Sequence, residues 1–400
     1  MKRLTVILIA LVCAVMFVAP SFADDRVSLS GSMRVRGWDV DGASESSWYD
    51  QRLRIGTKIK VADDVHAELR ADYGEGNWGT NYRGLITRPG DQSAGRSGSG
   101  KLDIDRGFMK INKENWALTA GQQYMYFGVA QVLDANAPGF KFDLKFAPVT
   151  ATVLYAKVDE SGSTSDEDGF EDVNFYGGNV NYTCDAFSVN LFAGVLDDDT
   201  AADDSPVMFG VHGTASLGMV NLTAELAMAS GDTNGGTVDY TGTQFYLEGN
   251  ANLTDQFSLS GEIVYALSAD DDEIQLTGFC NWWSFTPMSL NTPFAADFSA
   301  FANADPFDPT GDGAGVQGMM VAAKYAVMEG LSLGGKVGYF QPEDDDRTSV
   351  DDITAFNLWL SFMVATNTEF ALTYLYSDTE VDGADVDAEK TLAARLQLNF

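Results

Sequence analysis

Positively charged side chains recur at alternate positions near the start of the chain. Arg34 and Arg36 have this spacing, and Arg52 and Arg54 repeat it. Alternate residues of a β-strand lie on one face of the sheet, so this spacing places cations on a single surface. Extending the alternation predicts that the same face also carries Lys58, Lys60, Arg70, Lys141 and Lys145, with Arg106 and Lys110 joining it beyond an irregularity near residues 105–107.

Carboxylates take the equivalent positions in segments further along the chain. Glu225, Glu248 and Glu262 lie on the polar face of three consecutive predicted strands. Of the 25 Lys and Arg residues, 20 lie at or before Lys157, whereas 41 of the 58 Asp and Glu residues follow it. In a closed ring of strands the cationic face would stand opposite an acidic one. Charged walls of this kind can select ions, although lumen charges that are simply solvated and paired with one another explain the pattern equally well. The net charge of −33 argues against nucleic-acid binding.

Signatures of catalysis or cofactor binding are missing from the sequence. It contains two histidines, His66 and His212, and no phosphate-binding loop or dinucleotide fingerprint follows a predicted strand. Cys184 and Cys280 fall at opposite ends of the predicted strands, so we expect free thiols, because a disulfide needs Cα atoms within about 7 Å. We therefore predict a protein that is not an enzyme and has no resident cofactor.

The first 23 residues have the organisation of a secretory signal peptide. Two basic residues precede an apolar run, residues 4–19, and small residues surround Ala23, after which cleavage is expected. A lipid anchor on Cys13 is disfavoured because Val12 precedes it and more apolar chain follows. Beyond Ala23 no apolar stretch of about 18 residues occurs, which argues against a membrane helix. Residues 24–400 are predicted to form one domain.

Segments of about ten residues alternate between apolar and polar side chains through the whole mature sequence, a pattern typical of membrane-spanning β-strands. Composition agrees, with 40 Gly, 15 Tyr and 25 Phe but only 10 Pro. A soluble sandwich would have strands of about 5–6 residues, and these segments are longer. The predicted fold class is all-β: a transmembrane antiparallel up-and-down β-barrel.

The alternating segments number about 18, an even count, as single-chain bacterial barrels require. A count of 16 stays open because of the irregularity near 105–107 and because Glu273–Thr286 could also pair. Short turns fall on the side of both termini, and longer loops, the longest near 74–100 and 268–315, fall on the other. Short turns face the periplasm in such barrels, so both termini are predicted to be periplasmic.

The C-terminal strand carries the most specific motif. Its apolar face consists of Leu392, Ala394, Leu396 and Leu398, and the chain ends on Phe400. This strand resembles the terminal strand of Gram-negative outer-membrane porins. The resemblance implies a location in the bacterial outer membrane, contact with lipid and lipopolysaccharide, and a homotrimer. It also implies that Leu396, Leu398 and Phe400 form the signal for the barrel assembly machinery.

Porins of this kind usually fold their third outer loop into the lumen. The resemblance assigns that role here to residues 127–139, in which Asp134 is the single acid and thus the constriction-loop candidate. This loop is apolar compared with its neighbours, which favours inward folding or subunit packing. It departs from the family in lacking an acidic cluster, so a constriction of the general porin type is not implied.

Two loop features have competing interpretations. The 268–315 loop is rich in aromatic residues and could narrow the pore, contact another subunit, stack on sugars or pack on itself. Runs of acidic residues, such as 270–273 and 343–346, could bind Ca²⁺ or bridge lipopolysaccharide phosphates, although solvated acidic loops are the favoured interpretation.

The resemblance implies a water-filled channel for passive diffusion of small hydrophilic solutes and ions. Two other functions fit the same barrel. A substrate-specific channel for a sugar or an anion would show an aromatic track along the lumen, which is sparse in this sequence. A structural or adhesin barrel would have a closed lumen and no conductance.

Overall fold

The computed structural model describes residues 26–400 with gaps. The predicted signal peptide (1–23) lies outside the described residues, as do Cys13, Cys280 and most of the 74–100 and 268–315 loops. The gaps are residues 43–44, 78–102, 128–131, 162–170, 199–203, 234–235, 237, 280–306, 309–311, 382–383 and 386.

Strands make up almost all of the described chain because the two-residue alternation continues through each segment. A 3₁₀ turn, Asp345–Arg347, is the other regular element among the described residues. The strands are β1 (Val27–Asp41), β2 (Ser46–Ala62), β3 (Val65–Asn77), β4 (Asp103–Asn112), β5 (Trp116–Phe127), β6 (Leu133–Phe146), β7 (Val149–Ser161), β8 (Glu171–Thr183), β9 (Phe187–Asp198), β10 (Val207–Leu217), β11 (Val220–Thr233), β12 (Val238–Asn252), β13 (Phe257–Ala266), β14 (Glu273–Gln275), β15 (Val316–Met328), β16 (Leu331–Gln341), β17 (Val350–Ala365), β18 (Thr368–Val381), β19 (Ala384–Asp385) and β20 (Glu389–Asn399).

Eighteen of these strands form one closed antiparallel barrel. β20 pairs with β18 on one side and with β1 on the other, which closes the ring. β14 and β19 are short additions that pair with β12 and β18. The predicted count of 18 is confirmed and the alternative of 16 is wrong, because β4 pairs with both β3 and β5 despite its irregularity. The described part of the 273–286 segment adds only the three-residue β14.

The two ends of the barrel differ in the length of their connections. Eight tight turns, all within the described residues, lie at the end that also holds Val27 and Phe400, here named the turn end. Longer connections lie at the opposite end, the loop end. Gly218, Gly330 and Asn367 have φ values of 66°, 75° and 55° in three of the turns, as tight antiparallel hairpins require.

Exposed apolar side chains cover the outside of the barrel. In β20, Leu392, Leu396 and Leu398 are 46%, 47% and 40% exposed, whereas Thr391 and Ala393, on either side of Leu392, are buried. Exposed aromatic side chains lie on the outer surface towards both ends of the apolar band, as at membrane interfaces; examples are Phe146, Phe187 and Phe362 towards the turn end and Tyr49, Tyr126 and Tyr339 towards the loop end. No helix in the described part of the chain is long and apolar enough to cross a bilayer.

The barrel closes where the C-terminal residue meets β1. Gly31 N donates to Phe400 O at 2.8 Å, and Phe400 N donates to Gly31 O at 3.0 Å. A Cβ at position 31 would lie 2.6 Å from Phe400 Cζ and 2.4 Å from the backbone oxygen of Arg54. Only glycine fits here. The ring of Phe400 therefore packs against Gly31 of β1, where the backbone hydrogen bonds between these two residues also join the end of the chain to the first strand.

The hairpin of β5 and β6 is longer than predicted. β6 begins at Leu133, so Asp134 is paired with β5 and belongs to the barrel wall. The prediction of a constriction loop over 127–139 is therefore wrong for its second half. Val132 and Leu133 are buried among interior apolar side chains, and this burial stabilises an extended hairpin where the resemblance to porins placed a loop.

A bulge in β4 explains the irregularity near residues 105–107. Arg70 of β3 pairs with Arg106, and Ala71 pairs with Ile104, so the register skips Asp105. An extra residue of this kind brings two neighbouring side chains towards one face and re-aims them.

Candidate functional site

Six arginines line the inner surface of the wall formed by β20, β1, β2 and β3. Arg36 lies beside Arg395 of β20, and Arg34 lies beside Arg52 of β2. Turning one of these cations to lipid would cost about 2–4 kcal/mol at mid-membrane, which fixes the orientation of the strands. We name this set, each member of which is buried or half-buried, the arginine row: Arg34, Arg36, Arg52, Arg54, Arg70 and Arg395.

Carboxylates on adjacent strands accept hydrogen bonds from the arginine row. These bonds are charge-assisted, so each holds its guanidinium in one orientation. The row and its four partners leave an excess of two positive charges among these ten residues. The bonds join Arg36 Nε to Asp50 Oδ1 at 2.9 Å, Arg54 Nε to Asp72 Oδ1 at 2.6 Å, Arg70 Nε to Asp105 Oδ2 at 2.8 Å and Arg395 Nη2 to Glu369 Oε1 at 2.6 Å.

Arg395 and the paired carboxylates were not anticipated from the sequence. The parity that places Leu396 and Leu398 outside also places Arg395 inside, so alternation alone could have found it. Asp50 and Asp72 share the parity of the arginines on their own strands and could have been found in the same way.

A stacked tryptophan pair lies next to the row towards the loop end. Trp38 and Trp48 are partners across β1 and β2, with ring centroids 5.5 Å apart and planes inclined by 15°. Trp38 Nε1 donates to Asp50 Oδ2 at 2.7 Å, and the guanidinium carbon of Arg36 lies 4.8 Å from the Trp38 ring centroid. This geometry combines a flat apolar surface with a fixed cation.

The predicted lysines lie on the inner face of β2, β4 and β6, closer to the turn end than the arginine row. Their ammonium groups are more exposed than the guanidinium groups: the side chains of Lys58 and Lys60 are about half exposed. We name this set the lysine group: Lys58, Lys60, Lys110, Lys141 and Lys145. Three of its ammonium groups lie close to carboxylates: Lys58 is 3.1 Å from Glu68, Lys60 is 2.7 Å from Asp63 and Lys141 is 3.9 Å from Asp143. Lys110 pairs in register with His66, and Lys145 donates to Asn112 at 2.5 Å.

Arg106 makes a different set of contacts. Its Nε donates to Asn136 Oδ1 at 3.1 Å, and its guanidinium carbon lies 4.8 Å from the ring centroid of Tyr124. These contacts join β4 to β5 and β6 on the loop-end side of Gly107, the residue at which the β4–β5 pairing ends. We therefore do not include Arg106 in the arginine row.

The predicted acidic residues of the opposite wall lie on the inward face but are not exposed there. Glu225, Glu248 and Glu262 are 2%, 1% and 2% exposed. The prediction that these three carboxylates line a water-filled lumen is therefore wrong, because other side chains cover them. A sequence shows the direction in which a side chain points, but not what packs across the interior against it.

Polar neighbours satisfy part of this buried charge. Tyr246 Oη donates to Glu248 Oε2 at 2.9 Å, and Glu262 is the residue directly beside Glu248 on β13. Lys336 of β16 is also buried and interacts electrostatically with Glu262. The buried charges therefore form a compact group, here named the glutamate cluster, of Glu248, Glu262 and Lys336. Parity could have identified Lys336, since Leu333 and Val337 point outward.

Two apolar clusters fill the loop-end half of this wall. One surrounds Phe307, which comes from the long connection before β15 and is 0% exposed. The other contains Val132, from the β5–β6 connection, together with inward residues of β7 to β11. Phenyl and indole rings of both clusters and of β17 lie over glycines of adjacent strands: Phe175 over Gly194, Phe192 over Gly210, Phe340 over Gly318 and Trp359 over Gly334.

The turn-end half of the same wall is polar on its inner face, and its charged side chains there include Lys324 of β15 and the buried Glu225. Short hydroxyl and amide side chains bond to one another across the strands. These bonds join Ser188 to Thr214 at 2.7 Å, Ser216 to Asn221 at 2.8 Å and Ser258 to Asn252 at 2.7 Å. The described interior is therefore asymmetric: apart from Lys324, accessible charge lies on the β20–β6 side, whereas the loop-end half of the β7–β17 side is closed by apolar packing.

No group of three or more His, Cys, Asp or Glu side chains in the described part of the chain is arranged to hold a metal ion. Two residues of the acidic 343–346 run are already engaged: Glu343 accepts from Ser268 N at 3.0 Å, and Asp344 Oδ1 accepts from Asp346 N at 3.1 Å. Cys184 is a free thiol beside the β8–β9 turn. Calcium binding by the acidic loops stays a prediction.

Similar folds occur in several solved structures. OccK11 (OpdR) from Pseudomonas aeruginosa has a TM-score of 0.59 at 11% identity, covering 94% of this chain and 96% of that one. The outer membrane protein opdK from Pseudomonas aeruginosa has a TM-score of 0.58 at 9% identity, covering 93% and 99%. An anion-selective porin from Comamonas acidovorans has a TM-score of 0.53 at 10% identity, covering 94% and 99%.

No family model and no curated protein matches the sequence. At 9–11% identity these structures establish the fold. The chain has the closed 18-strand barrel fold of outer-membrane porins, and the predicted resemblance to that group is confirmed at the level of the fold.

Proposed function

We propose that this protein is a passive channel of the bacterial outer membrane whose solute path runs beside the arginine row. The fold is that of outer-membrane channels, and the outer surface suits lipid. The path is water-filled, carries small hydrophilic solutes and ions, and involves no chemical step. The termini and turn end face the periplasm, as short turns do in bacterial barrels.

One observation carries this proposal: accessible arginines on one wall face an opposite wall whose glutamates are sealed. The side chains of Arg54 and Arg70 are 23% and 21% exposed, whereas the carboxylates of the glutamate cluster are buried. A permeating ion therefore passes the arginine row on one side and, on the other, a wall whose half-buried inward cation is Lys324 and whose inward glutamates are buried.

We infer a preference for small anions in this narrow part of the path. Fixed arginines lower the energy of an anion close to them and raise that of a cation. The Comamonas acidovorans barrel of similar fold is an anion-selective porin, which agrees with this proposal. The acidic loop end has the opposite effect, so the preference depends on ionic strength, since mobile ions screen exposed charges more than half-buried ones.

Reversal potential in a planar bilayer under a KCl gradient tests the proposal. Replacing Arg34, Arg36, Arg52 and Arg54 by Gln should lower the chloride-to-potassium permeability ratio by at least about twofold. A matched control replaces Lys58, Lys60, Lys141 and Lys145 by Gln, which removes the same charge from the turn end, where Lys58 and Lys60 are more exposed than the arginines, and should change the ratio less. A cation preference that persists unchanged in the arginine variant would refute the assignment.

A substrate-specific channel is the second candidate, and the stacked Trp38–Trp48 pair favours it. A flat ring pair beside a fixed guanidinium would slow a planar or sugar-like solute. Blockade of the current by oligosaccharides, lost in Trp48→Ala, would support this candidate. A closed structural barrel is the outcome if purified protein shows no single-channel conductance.

The assembly predictions from the sequence join this proposal. Residues 1–23 are removed as a signal peptide, and Leu396, Leu398 and Phe400 serve as the signal for the barrel assembly machinery. The lipid-facing position of these three side chains supports that role. We further propose a homotrimer in contact with lipopolysaccharide, which crosslinking in outer-membrane vesicles would test.

A further inference from the structure

The long connection between β13 and β15 is tied down at both of its described ends. Its first part leaves β13 at residues 267–279, and its last part includes Phe307, Asp308 and residues 312–315. Ala269 N donates to Gly313 O at 3.0 Å, and Gly313 N donates to Asp308 Oδ2 at 3.1 Å. The two parts are therefore bonded to each other beside the strands.

The connection between β16 and β17 fastens both parts from the side. Glu343 accepts from Ser268 N at 3.0 Å and from the hydroxyl of Tyr265 at 3.3 Å. Arg347 Nη1 donates to Ala269 O at 2.5 Å. The backbone nitrogens of residues 343 and 344 donate to Ala314 O at 3.1 and 3.0 Å. We name Glu343 and Arg347 the latch.

The latch has a defined charge state. The backbone hydrogen bond from Ser268 lowers the pKa of Glu343 below its ordinary value. Because the pKa is depressed in the latched form, the stabilisation is complete above the ordinary pKa and is lost as the pH falls through the lowered one. At neutral pH the latch is therefore closed.

Phe307 is the point at which this fastened connection enters the barrel. It is 0% exposed and packs in a cluster with Tyr246, Val264 and Phe340. Tyr246 is the next inward residue above Glu248 on β12, and Val264 occupies the same place above Glu262 on β13. The cluster that holds Phe307 therefore sits directly on the loop-end side of the glutamate cluster.

We propose that Phe307, held in place by the latch, is a selectivity-determining residue that keeps the carboxylates of Glu248 and Glu262 out of the aqueous path. The inference rests on the channel function proposed above. With Phe307 seated, the ion encounters the arginine row and a dry wall. With Phe307 removed, the ion encounters opposing cationic and acidic walls, and the channel loses its anion preference while its path widens.

Reversal potential and single-channel conductance of Phe307→Ala provide the first test. We expect conductance to rise, and the chloride-to-potassium permeability ratio to fall by at least about twofold, because carboxylates join the path. The same substitution in a Glu248→Gln, Glu262→Gln background should raise conductance without lowering the ratio. A fall in the ratio that persists without these two carboxylates would overturn the proposal.

Latch variants separate anchoring from packing. Glu343→Ala and Arg347→Ala remove the side-chain bonds to Ser268 and Ala269 in the first part of the connection and should move the ratio in the same direction as Phe307→Ala. The matched control is Asp346→Ala, which removes an exposed carboxylate from the same connection without touching Ser268 or Ala269. If Asp346→Ala changes the ratio as much as Glu343→Ala does, the effect is one of loop charge and the latch is wrong.

Thiol labelling gives a readout that does not need a current. Glu248→Cys, in a chain with Cys184 and Cys280 replaced by Ser, should react at least about tenfold more slowly with a charged methanethiosulfonate than it does when Phe307→Ala is added, since reactivity follows exposure. Equal labelling rates with and without Phe307→Ala would overturn the proposal that Phe307 shields position 248 from water. A wild-type protein without conductance would refute the channel proposal alone, whereas labelling would still decide whether Phe307 covers the site. Heat-modifiability on gels confirms that each variant is a folded barrel.

Discussion

The two walls of the barrel carry charge in opposite ways. On the β20–β4 wall, guanidinium groups and carboxylates pair across strands; Arg36 and Asp50 are buried, whereas Arg54 and Arg70 are half-buried and reach water. On the β12–β16 wall, two glutamates and one lysine are sealed under an apolar cluster. Both walls have inward-facing charges, so the direction of the side chains does not explain the difference. What covers each wall from across the interior does.

The difference between the two walls shows that the free-energy cost of an inward charge arises from its removal from water. Water still reaches part of the arginine row, at Arg54 and Arg70, so the pairs there need only modest mutual attraction. The glutamate cluster has given up solvation, and a buried ion without its partner is costly. Removing one charge should therefore have very different consequences on the two walls.

The largest effect is expected for Lys336→Met. This change leaves Glu262 buried without its cation, and breaking a buried pair typically costs about 3–5 kcal/mol. Urea unfolding of the barrel in detergent micelles measures the loss. Adding Glu262→Met should restore much of the stability, because an apolar pair of similar volume suits a sealed site. A double variant as unstable as the single one would contradict the pairing.

Asp50→Asn should come next. Asp50 accepts from Arg36 Nε at 2.9 Å and from Trp38 Nε1 at 2.7 Å, and it is buried. An amide retains one acceptor but loses the charge, so we expect a loss of about 1.5–3 kcal/mol, the range for hydrogen bonds to charged groups. Asp39→Asn, an exposed carboxylate on the neighbouring strand β1, is the control and should change the unfolding midpoint little. Equal effects would mean that the Asp50 bonds add nothing.

Gly334→Ala should have a smaller effect on the sealed side. A Cβ at this position would lie 2.1 Å from Cζ2 of Trp359, so the indole must shift into the interior. Overpacking of this kind costs about 1–3 kcal/mol. Gly261→Ala is the matched control on the outer surface, where the nearest atom to the new Cβ is 4.0 Å away. Unfolding curves that coincide for the two variants would show that the ring is not held flat against the wall.

Alternation predicted much of this barrel because each strand obeys one local rule. The orientation of Arg34, Arg52 and Glu262, the number of strands and the irregularity at Asp105 all follow from residues near one another in sequence. The same alternation places Arg395 and Lys336 on the inner face. The charge pattern did not predict them, because each is an isolated cation in an acidic or apolar segment.

Burial could not be predicted because it depends on contacts between residues far apart in the chain. Phe307 belongs to a connection whose sequence pattern predicts neither a strand nor entry into the barrel. In the proposal above, this side chain keeps the carboxylate of Glu262, on another strand, away from water. The same limit explains Asp134. Pro138 marks a turn in most sequences, yet burial of Val132 among interior side chains keeps β5 and β6 paired beyond it.

The smallest effect tests the comparison most directly, because it repeats the first substitution on the other wall. Lys58 lies 3.1 Å from Glu68, and their side chains are 51% and 36% exposed. Lys58→Met leaves Glu68 in water rather than in a sealed site, so we expect a loss of no more than about 1 kcal/mol, the range for exposed pairs. That small difference should shrink further in high salt, which screens exposed charges and leaves buried ones largely unaffected. Unfolding of Lys58→Met and Lys336→Met at low and high salt provides the measurement. If the two losses were similar in size and in salt dependence, the walls would not differ in solvation, and the sealed glutamate cluster would have to be abandoned.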